Sequence, residues 1–218
     1  MIGQLSKEEV NRKLLHILAL VLPFGIFYIP IYSEISRVDM LYAILSLLSL
    51  SILIEFSRMR SGCFADWFSK SFGSMMRTEE QKQLTGATYV IAGSAICAVL
   101  SLNNERYAVA SFLCLSLFIL GDAIAAIVGK AFGRMKIGKK TIEGALACFF
   151  LCLILSGLLF PYLPFFFEGW GGNITTFQIL IISGTVSALE FFPLKWRQFV
   201  LNDNLYVPGV TTLISLNI

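Results

Sequence analysis

Six stretches of this chain are apolar for long enough to cross a lipid bilayer, and short polar segments separate them. A helix needs about 20 apolar residues to span a hydrocarbon core of about 30 Å, within a range of roughly 17 to 25. The pattern predicts spans near 14–32, 40–56, 88–102, 107–128, 142–165 and 177–192, the third short and the fifth interrupted near Pro161 and Pro164. A seventh stretch, 205–218, is shorter and contains Pro208, so it is expected as a short terminal span, a re-entrant piece or a truncated end. The predicted fold is an all-α, polytopic transmembrane helix bundle of six to seven spans. It is expected to form a single integral membrane domain over residues 1–218, since no internal repeat, low-complexity tract or linker divides the chain.

Composition narrows the class of molecule. Hydrophobic residues make up 56% of the 218 and charged residues 14%, against roughly 25% charged in ordinary globular proteins. With 19 Phe and a mean hydropathy of +0.76, too few polar residues remain to cover a soluble exterior. An ordinary cytosolic enzyme, a disordered segment and a nucleic-acid binder are excluded as expectations. Of the five cysteines, Cys97, Cys114, Cys148 and Cys152 lie in apolar runs and Cys63 in a polar segment. They read as reduced, small hydrophobes rather than a disulfide frame or zinc site. The first apolar run is too long for a signal-peptide core and lacks a small-residue cleavage site, so it is expected to stay in the membrane.

The net charge of +3 says less than where the charges sit. Cytoplasmic loops are enriched in Lys and Arg. Lys7, Arg12 and Lys13 precede the first span; Arg58, Arg60, Lys70, Arg77 and Lys82 follow the second; Lys130, Arg134, Lys136, Lys139 and Lys140 follow the fourth; Lys195 and Arg197 follow the sixth. The opposite loops hold only Arg37 and Arg106. This alternation predicts a cytoplasmic N-terminus. The expected location is a bacterial inner membrane, with the endoplasmic reticulum or another organelle as the alternative.

Ionisable groups in or at the ends of spans are functional candidates, because lipid tolerates them only when they are paired or hydrated. Here they collect at the predicted cytoplasmic ends: Glu9, Arg12, Lys13 and His16; Glu55 and Arg58; Asp122; Glu143; Glu190; and Asp203 with Asn204. Glu9 with Lys13 and Arg12 with His16 are i,i+4 pairs that share a face, which suits a lipid-headgroup anchor as well as a site. Glu55 and Arg58, at i,i+3, are explained almost as well by a simple salt bridge. Asp122 is harder to explain structurally. Its carboxylate is expected about seven residues, or roughly 10 Å, inside the loop boundary, where only water, a cation or a ligand would make it tolerable.

After Asp122 come Gly129, Gly133 and Gly138, interleaved with Lys130, Arg134, Lys136, Lys139 and Lys140 and closed by Thr141. Backbone N–H groups freed by glycine, with cations beside them, form a cradle for phosphate oxygens. Residues 133–140 nearly spell a Walker loop, with Lys140 where Ser or Thr belongs. That motif requires a preceding buried strand, and here a membrane helix precedes it, so the fold is rejected and the phosphate chemistry kept. Glu143 then opens the fifth span. Acids that suit Mg²⁺ and bases that suit polyphosphate therefore converge on one face, which suggests nucleotide chemistry on a lipid.

The ordered set Glu9-x2-Arg12-Lys13-x2-His16, Glu55-x2-Arg58, Thr85-Gly86-Ala87-Thr88-Tyr89, Gly121-Asp122-x2-Ala125, Lys140-Thr141-x-Glu143-Gly144 and Asp203-Asn204-x3-Pro208 resembles the polyprenol kinase family. That family groups dolichol kinase, phytol kinase and CTP-dependent diacylglycerol kinase. The resemblance implies transfer of the γ-phosphoryl group of CTP to a lipid hydroxyl, of diacylglycerol or a polyprenol- or phytol-type alcohol, at the cytoplasmic face. The Asp203-Asn204 ending looks most like the diacylglycerol kinase branch, and the short chain makes dolichol the less expected acceptor.

Carried onto these residues, the resemblance implies that Asp122 holds Mg²⁺, helped by Glu143 or Asp203. Lys139 and Lys140, with Thr141 and the glycine loop, would bind the polyphosphate. Arg12, Lys13 and Arg58, beside Glu55, would grip a lipid or nucleotide phosphate, and Asn204 would orient the hydroxyl. His16 and Asp203 are both candidates for its base. Two rivals stand beside this reading. A phosphatidate cytidylyltransferase also uses CTP, Mg²⁺ and a membrane lipid, but its usual His-Gly-Gly and Asp-Arg-x-Asp runs are absent, His16 being the sole histidine. A transporter would more often place its site near the bilayer midplane.

Overall fold

A computed structural model describes residues 7–73, 80, 83–196 and 199–218. Arg77, Lys82 and Arg197, part of the charge pattern above, lie outside the described residues, as do the side chains of Lys7, Glu9 and Lys195. The architecture is all-α. Ten α-helices run in the order α1 (Lys7–Leu18), α2 (Val21–Tyr32), α3 (Arg37–Arg60), α4 (Gly62–Phe72), α5 (Gly86–Ser101), α6 (Glu105–Phe132), α7 (Ile142–Ile154), α8 (Phe166–Trp170), α9 (Thr176–Phe191) and α10 (Asp203–Leu216) among the described residues. Two hairpins of two-residue strands interrupt them, β1 (Lys136–Ile137) with β2 (Lys140–Thr141), and β3 (Lys195–Trp196) with β4 (Phe199–Val200).

Among the described residues, four helical segments are long and apolar enough to cross a membrane: Val10–Tyr32, Arg37–Arg60, Glu105–Phe132 and Ile142–Tyr162. The helices Gly86–Ser101 and Thr176–Phe191 are apolar but shorter. Large side chains such as Leu50, Leu53, Phe150, Ile154, Leu158 and Phe177 point outward and exposed. A water-soluble protein would not present such a girdle, whereas lipid-facing helices do. The protein is an integral membrane protein.

Local chemistry explains the breaks. Pro23 has no N–H and its ring presses on the carbonyl four residues back, Ala19. The chain answers with tightened i→i−3 bonds, Ala19 N–H to His16 O and Leu20 N–H to Ile17 O, so the first crossing is two helices with a bend between them. In the fifth, α7 passes into a π-turn over Leu155–Leu159 and a 3₁₀ turn over Phe160–Tyr162, where Pro161 ends it. The entry points carry caps: Ser36 and Asp39 form a capping box on α3, and Thr175 and Gln178 do so on α9. Asn104, Thr141 and Asn202 accept from the first turns of α6, α7 and α10. Each satisfies an orphan N–H that lipid could not.

Helix α6 is the axle. Every residue from Ala108 to Ile119 is buried, the signature of a helix packed on all sides, and α2, α5, α7, α9 and α10 surround it. Phe27 stacks on Phe112, with Phe24 and Phe160 edge-on to the same ring. Close approach depends on missing side chains: a Cβ on Gly144 would strike the carbonyl oxygen of Ala125, and one on Gly93 that of Asn204. These contacts bring α7 onto α6 and α10 onto α5. Sequence periodicity did not foresee α4, since Gly62–Phe72 read as part of a polar connection. Its Phe64, Trp67, Phe68 and Phe72 recur at helical spacing on a single short helix.

Candidate functional site

The second half of α1, the end of α3, the start of α5, the second half of α6, β2, the end of α9 and the start of α10 meet at one end of the bundle. Their polar side chains form two adjoining networks. In the first, Lys13 reaches from α1 across to α6, its Nζ donating to Asp122 Oδ2 at 2.6 Å and to the Asp122 carbonyl at 3.2 Å. His16, one turn further along α1 and sharing that face, places Nε2 3.3 Å from the same Oδ2 without a hydrogen bond. The carboxylate that sequence alone left without a partner is thus held by a cation of the chain itself. This answers its burial by the route open to a buried charge. Lys13 touches an acid here rather than facing outward toward a phosphate.

Lys140 is the second cation. From β2, its Nζ donates to Glu190 Oε1 at 2.7 Å and Asp203 Oδ2 at 2.9 Å, and also to the Glu190 carbonyl. Burial alone would depress the ammonium, but the Asp203 and Glu190 carboxylates outweigh it and hold its pKa above the ordinary value. Lys140 acts electrostatically on Asp122, and Glu190 on both Asp122 and Asp203. Lys13, His16, Asp122, Lys140, Glu190 and Asp203 therefore form one cluster, drawn from five elements. Glu190 had been noted as an acid at a span end but given no role; its position one residue inside the end of an apolar helix was the available signal.

The glycine loop takes a definite shape. β1 and β2 pair Ile137 with Lys140, leaving Gly138 and Lys139 as a two-residue turn. Gly138 has φ +64°, which fits glycine at the first position of a tight hairpin turn. Gly129 and Gly133 give α6 room against Thr141, whose side chain a Cβ at either glycine would strike. Glu143 does not face the cluster: Oε1 accepts from the N–H groups of Arg134 at 2.9 Å and Met135 at 3.1 Å. Those N–H groups bind a carboxylate of the chain itself, and the hairpin carries Lys140 into the cluster.

The second network is buried. Arg58 Nε and Nη2 both donate to Glu55 Oε2, at 3.0 and 2.6 Å, and Nη2 reaches the Gln83 carbonyl at 2.7 Å. The other Glu55 oxygen accepts from Thr85 N–H at 2.9 Å, Thr85 Oγ1 at 2.5 Å and Thr88 Oγ1 at 3.1 Å. Glu55 thus caps α5 from a neighbouring helix. The Thr85-Gly86-Ala87-Thr88 run, without an assigned role in the sequence, supplies the donors. The networks join through Asn204, whose Nδ2 points to the Gly86 carbonyl at 3.4 Å and whose neighbour Asp203 holds Lys140. At the opposite end lie the Arg37–Glu105 ion pair and Arg106, whose guanidinium sits 5.9 Å from the Trp170 ring centre.

Among the described residues no group of three or more His, Cys, Asp or Glu side chains is already arranged to hold a metal ion. Asp122, Glu190 and Asp203 supply carboxylate oxygens, the donor type of a hard divalent cation. Lys13 and Lys140 hold that charge in the structure.

A family model described as "Cytidylyltransferase family" matches residues 2–192. An uncharacterized protein of Rickettsia prowazekii is 26% identical over 204 residues, covering 92% of this chain and 89% of that one. A probable chloroplastic phytol kinase of Triticum aestivum is 24% identical over 222 residues, 97% of this chain and 68% of its own. The dolichol kinase of Saccharomyces cerevisiae is 36% identical over 96 residues, 41% of this chain and 16% of its own. No solved structure matches the chain.

Proposed function

The chain belongs to the cytidylyltransferase family, within which its resemblance is to the polyprenol kinases, and from this we propose that it transfers the γ-phosphoryl group of CTP to the hydroxyl of a membrane lipid alcohol. The observation that carries the reading is the cluster of Lys13, His16, Asp122, Lys140, Glu190 and Asp203, drawn from five elements at one end of the bundle. Phosphoryl transfer needs positioned charge more than covalent help, and this end of the bundle is built from positioned charge.

In the reaction, the lipid hydroxyl oxygen forms a bond to Pγ as the bond from Pγ to the bridging oxygen of CDP breaks. CDP leaves with that electron pair, and the hydroxyl proton passes to a base. Lys140 moves from its two carboxylates toward the polyphosphate and offsets the charge that develops there, with Lys139 beside it on the turn. Asp122 and Asp203 would hold Mg²⁺, which supplies charge neutralisation on the phosphates when bound. Lys13 keeps Asp122 in register. His16 Nε2, close to Asp122 and without a hydrogen bond, is the base we favour for the hydroxyl proton. Asn204, fixed against Gly86, orients that hydroxyl. Glu143 shapes the loop, and Glu55 and Arg58 fix the start of α5.

We place the cluster at the cytoplasmic face, with a cytoplasmic N-terminus and seven spans, counting α5, α9 and α10 as crossings. The support is that six helices and the strand β2 bring polar residues together where Lys and Arg are concentrated. The family's description favours one second reading, a cytidylyltransferase that joins CMP to a lipid phosphate. Supplying CTP labelled at the α- or γ-phosphate tests both: the kinase moves only γ label into lipid, the cytidylyltransferase only α label.

A further inference from the structure

The ammonium of Lys140 has no donor to spare. A lysine carries three N–H groups and no acceptor, and here they go to Glu190 Oε1 at 2.7 Å, Asp203 Oδ2 at 2.9 Å and the Glu190 carbonyl. A phosphate oxygen can reach the ammonium only by displacing one of these acceptors. Their surroundings decide which of them yields.

Burial separates them first. The Glu190 side chain is 5% exposed and that of Asp203 26%. Breaking a buried pair leaves an uncompensated charge out of water and is costly, whereas an ion pair within reach of water is worth little. Helix ends separate them again. Glu190 is the penultimate residue of α9, where unpaired carbonyls make the local field negative, a poor place for a carboxylate and a good one for an ammonium. Asp203 opens α10, and its other oxygen, Oδ1, already accepts from Asn204 N–H at 3.1 Å. The positive end of that helix favours its charge with or without Lys140. The backbone adds a third difference. The Glu190 carbonyl is among the last of α9, which have no partner within the helix, and Lys140 supplies one. Tyr206 of α10 fixes this turn from both sides, its hydroxyl donating to the Leu189 carbonyl at 3.1 Å and accepting from Leu194 N–H at 3.2 Å. Lys140 is thus tied twice to a fixed, buried residue and once to an acid that stands without it.

We infer that Glu190 is the anchor of Lys140 and Asp203 its exchangeable partner: an arriving nucleotide polyphosphate takes the place of Asp203 on the ammonium while Glu190 holds on. The inference rests on the lipid-kinase reading and divides the movement of Lys140 between its two carboxylates. Glu190 is a positioning residue, which aims the cation at the phosphates without touching them. Asp203 Oδ2, beside Asn204, is released only once the polyphosphate is in place.

The test measures CTP binding to the full chain in detergent with EDTA and no lipid alcohol, so that neither metal nor transfer contributes. Lys140→Met sets the floor. Glu190→Gln should weaken CTP by about tenfold or more, the scale of a lost buried partner. Asp203→Asn should bind CTP as tightly as wild type or tighter, by up to about fivefold, because only an exposed pair competes with the phosphate. In the Lys140→Met background, Glu190→Gln should change the dissociation constant no further, a result that a merely structural role for Glu190 would not give.

Asp203→Asn weakening CTP as much as Lys140→Met does overturns the proposal, and this arm decides even where Glu190→Gln fails to fold. Glu190→Gln binding like wild type overturns it as well, as does Lys140→Met binding no worse than wild type. Failure of the kinase reading looks different: γ label from CTP enters no lipid alcohol with Mg²⁺ present, while the binding series in EDTA still reports which carboxylate Lys140 gives up.

Discussion

Two lysines carry the residue-scale argument, because each neutralises acid that the membrane would otherwise not accept. Lys13 is 6% exposed at its side chain and bonds Asp122 directly. Removing one member of a buried pair costs about 3 kcal/mol or more, so Lys13→Met should lower thermal stability in detergent by that order. An unchanged melting temperature would show that Asp122 is hydrated rather than paired. Asp122→Asn should insert in the membrane and abolish transfer.

Lys140 has a raised pKa, so its favourable contribution is fully present below the ordinary lysine value of about 10.4 and is lost only as pH climbs past it. Between neutrality and pH 9 the contribution of Lys140 to stability should therefore be constant, so wild type and Lys140→Met should differ by the same amount across a pH scan of that range, and a gap that closes before pH 9 would contradict it. On activity, Lys140→Ala should abolish nucleotide use while Arg106→Ala, beside Trp170 at the far end, leaves it near wild type. Equal losses would dissolve the distinction between the two ends.

At the scale of elements, the second network behaves as a joint. Glu55 on α3 caps α5, and α5 in turn holds Asn204 at the head of α10. Glu55→Gln keeps the shape but removes the charge that Arg58 and the Thr85 donors share. It should lower kcat by more than it raises KM, because it misplaces Asp203 and Asn204 without touching nucleotide. Gly93→Ala presses a methyl onto the Asn204 carbonyl, a backbone atom that cannot swing aside. Overpacking of this kind costs about 1–3 kcal/mol, read as a lowered melting temperature. A wild-type melting curve would show that α10 is free to shift.

The long apolar helices were legible at this scale, since 40–56 lies inside α3 and 107–128 inside α6. The bend at Ala19 follows from Pro23 once the helix is known. What escaped was α4, whose aromatic face is interleaved with Ser, Asp and Lys, and the hairpin, too short to show a strand period.

For the whole molecule, charge placement along the chain foreshadowed the site better than any single motif. Six segments far apart in sequence bring polar residues together with those of α6. Asp122, Lys140 and Asp203 were identifiable as acids and bases at span ends. Their pairing was not, because no spacing rule links α1 to α6 or β2 to α9 and α10. Glu143 shows the converse: a well-placed acid in sequence whose carboxylate is taken up by the N–H groups of Arg134 and Met135. The molecule that results is an integral membrane protein with one charged end, belonging to a family described by cytidylyl transfer and similar to a probable phytol kinase and a dolichol kinase. Purified protein given mixed lipids and CTP labelled at either the γ- or the α-phosphate separates these outcomes directly: the account predicts γ label alone in lipid, and α label in lipid, or none of either, would contradict it.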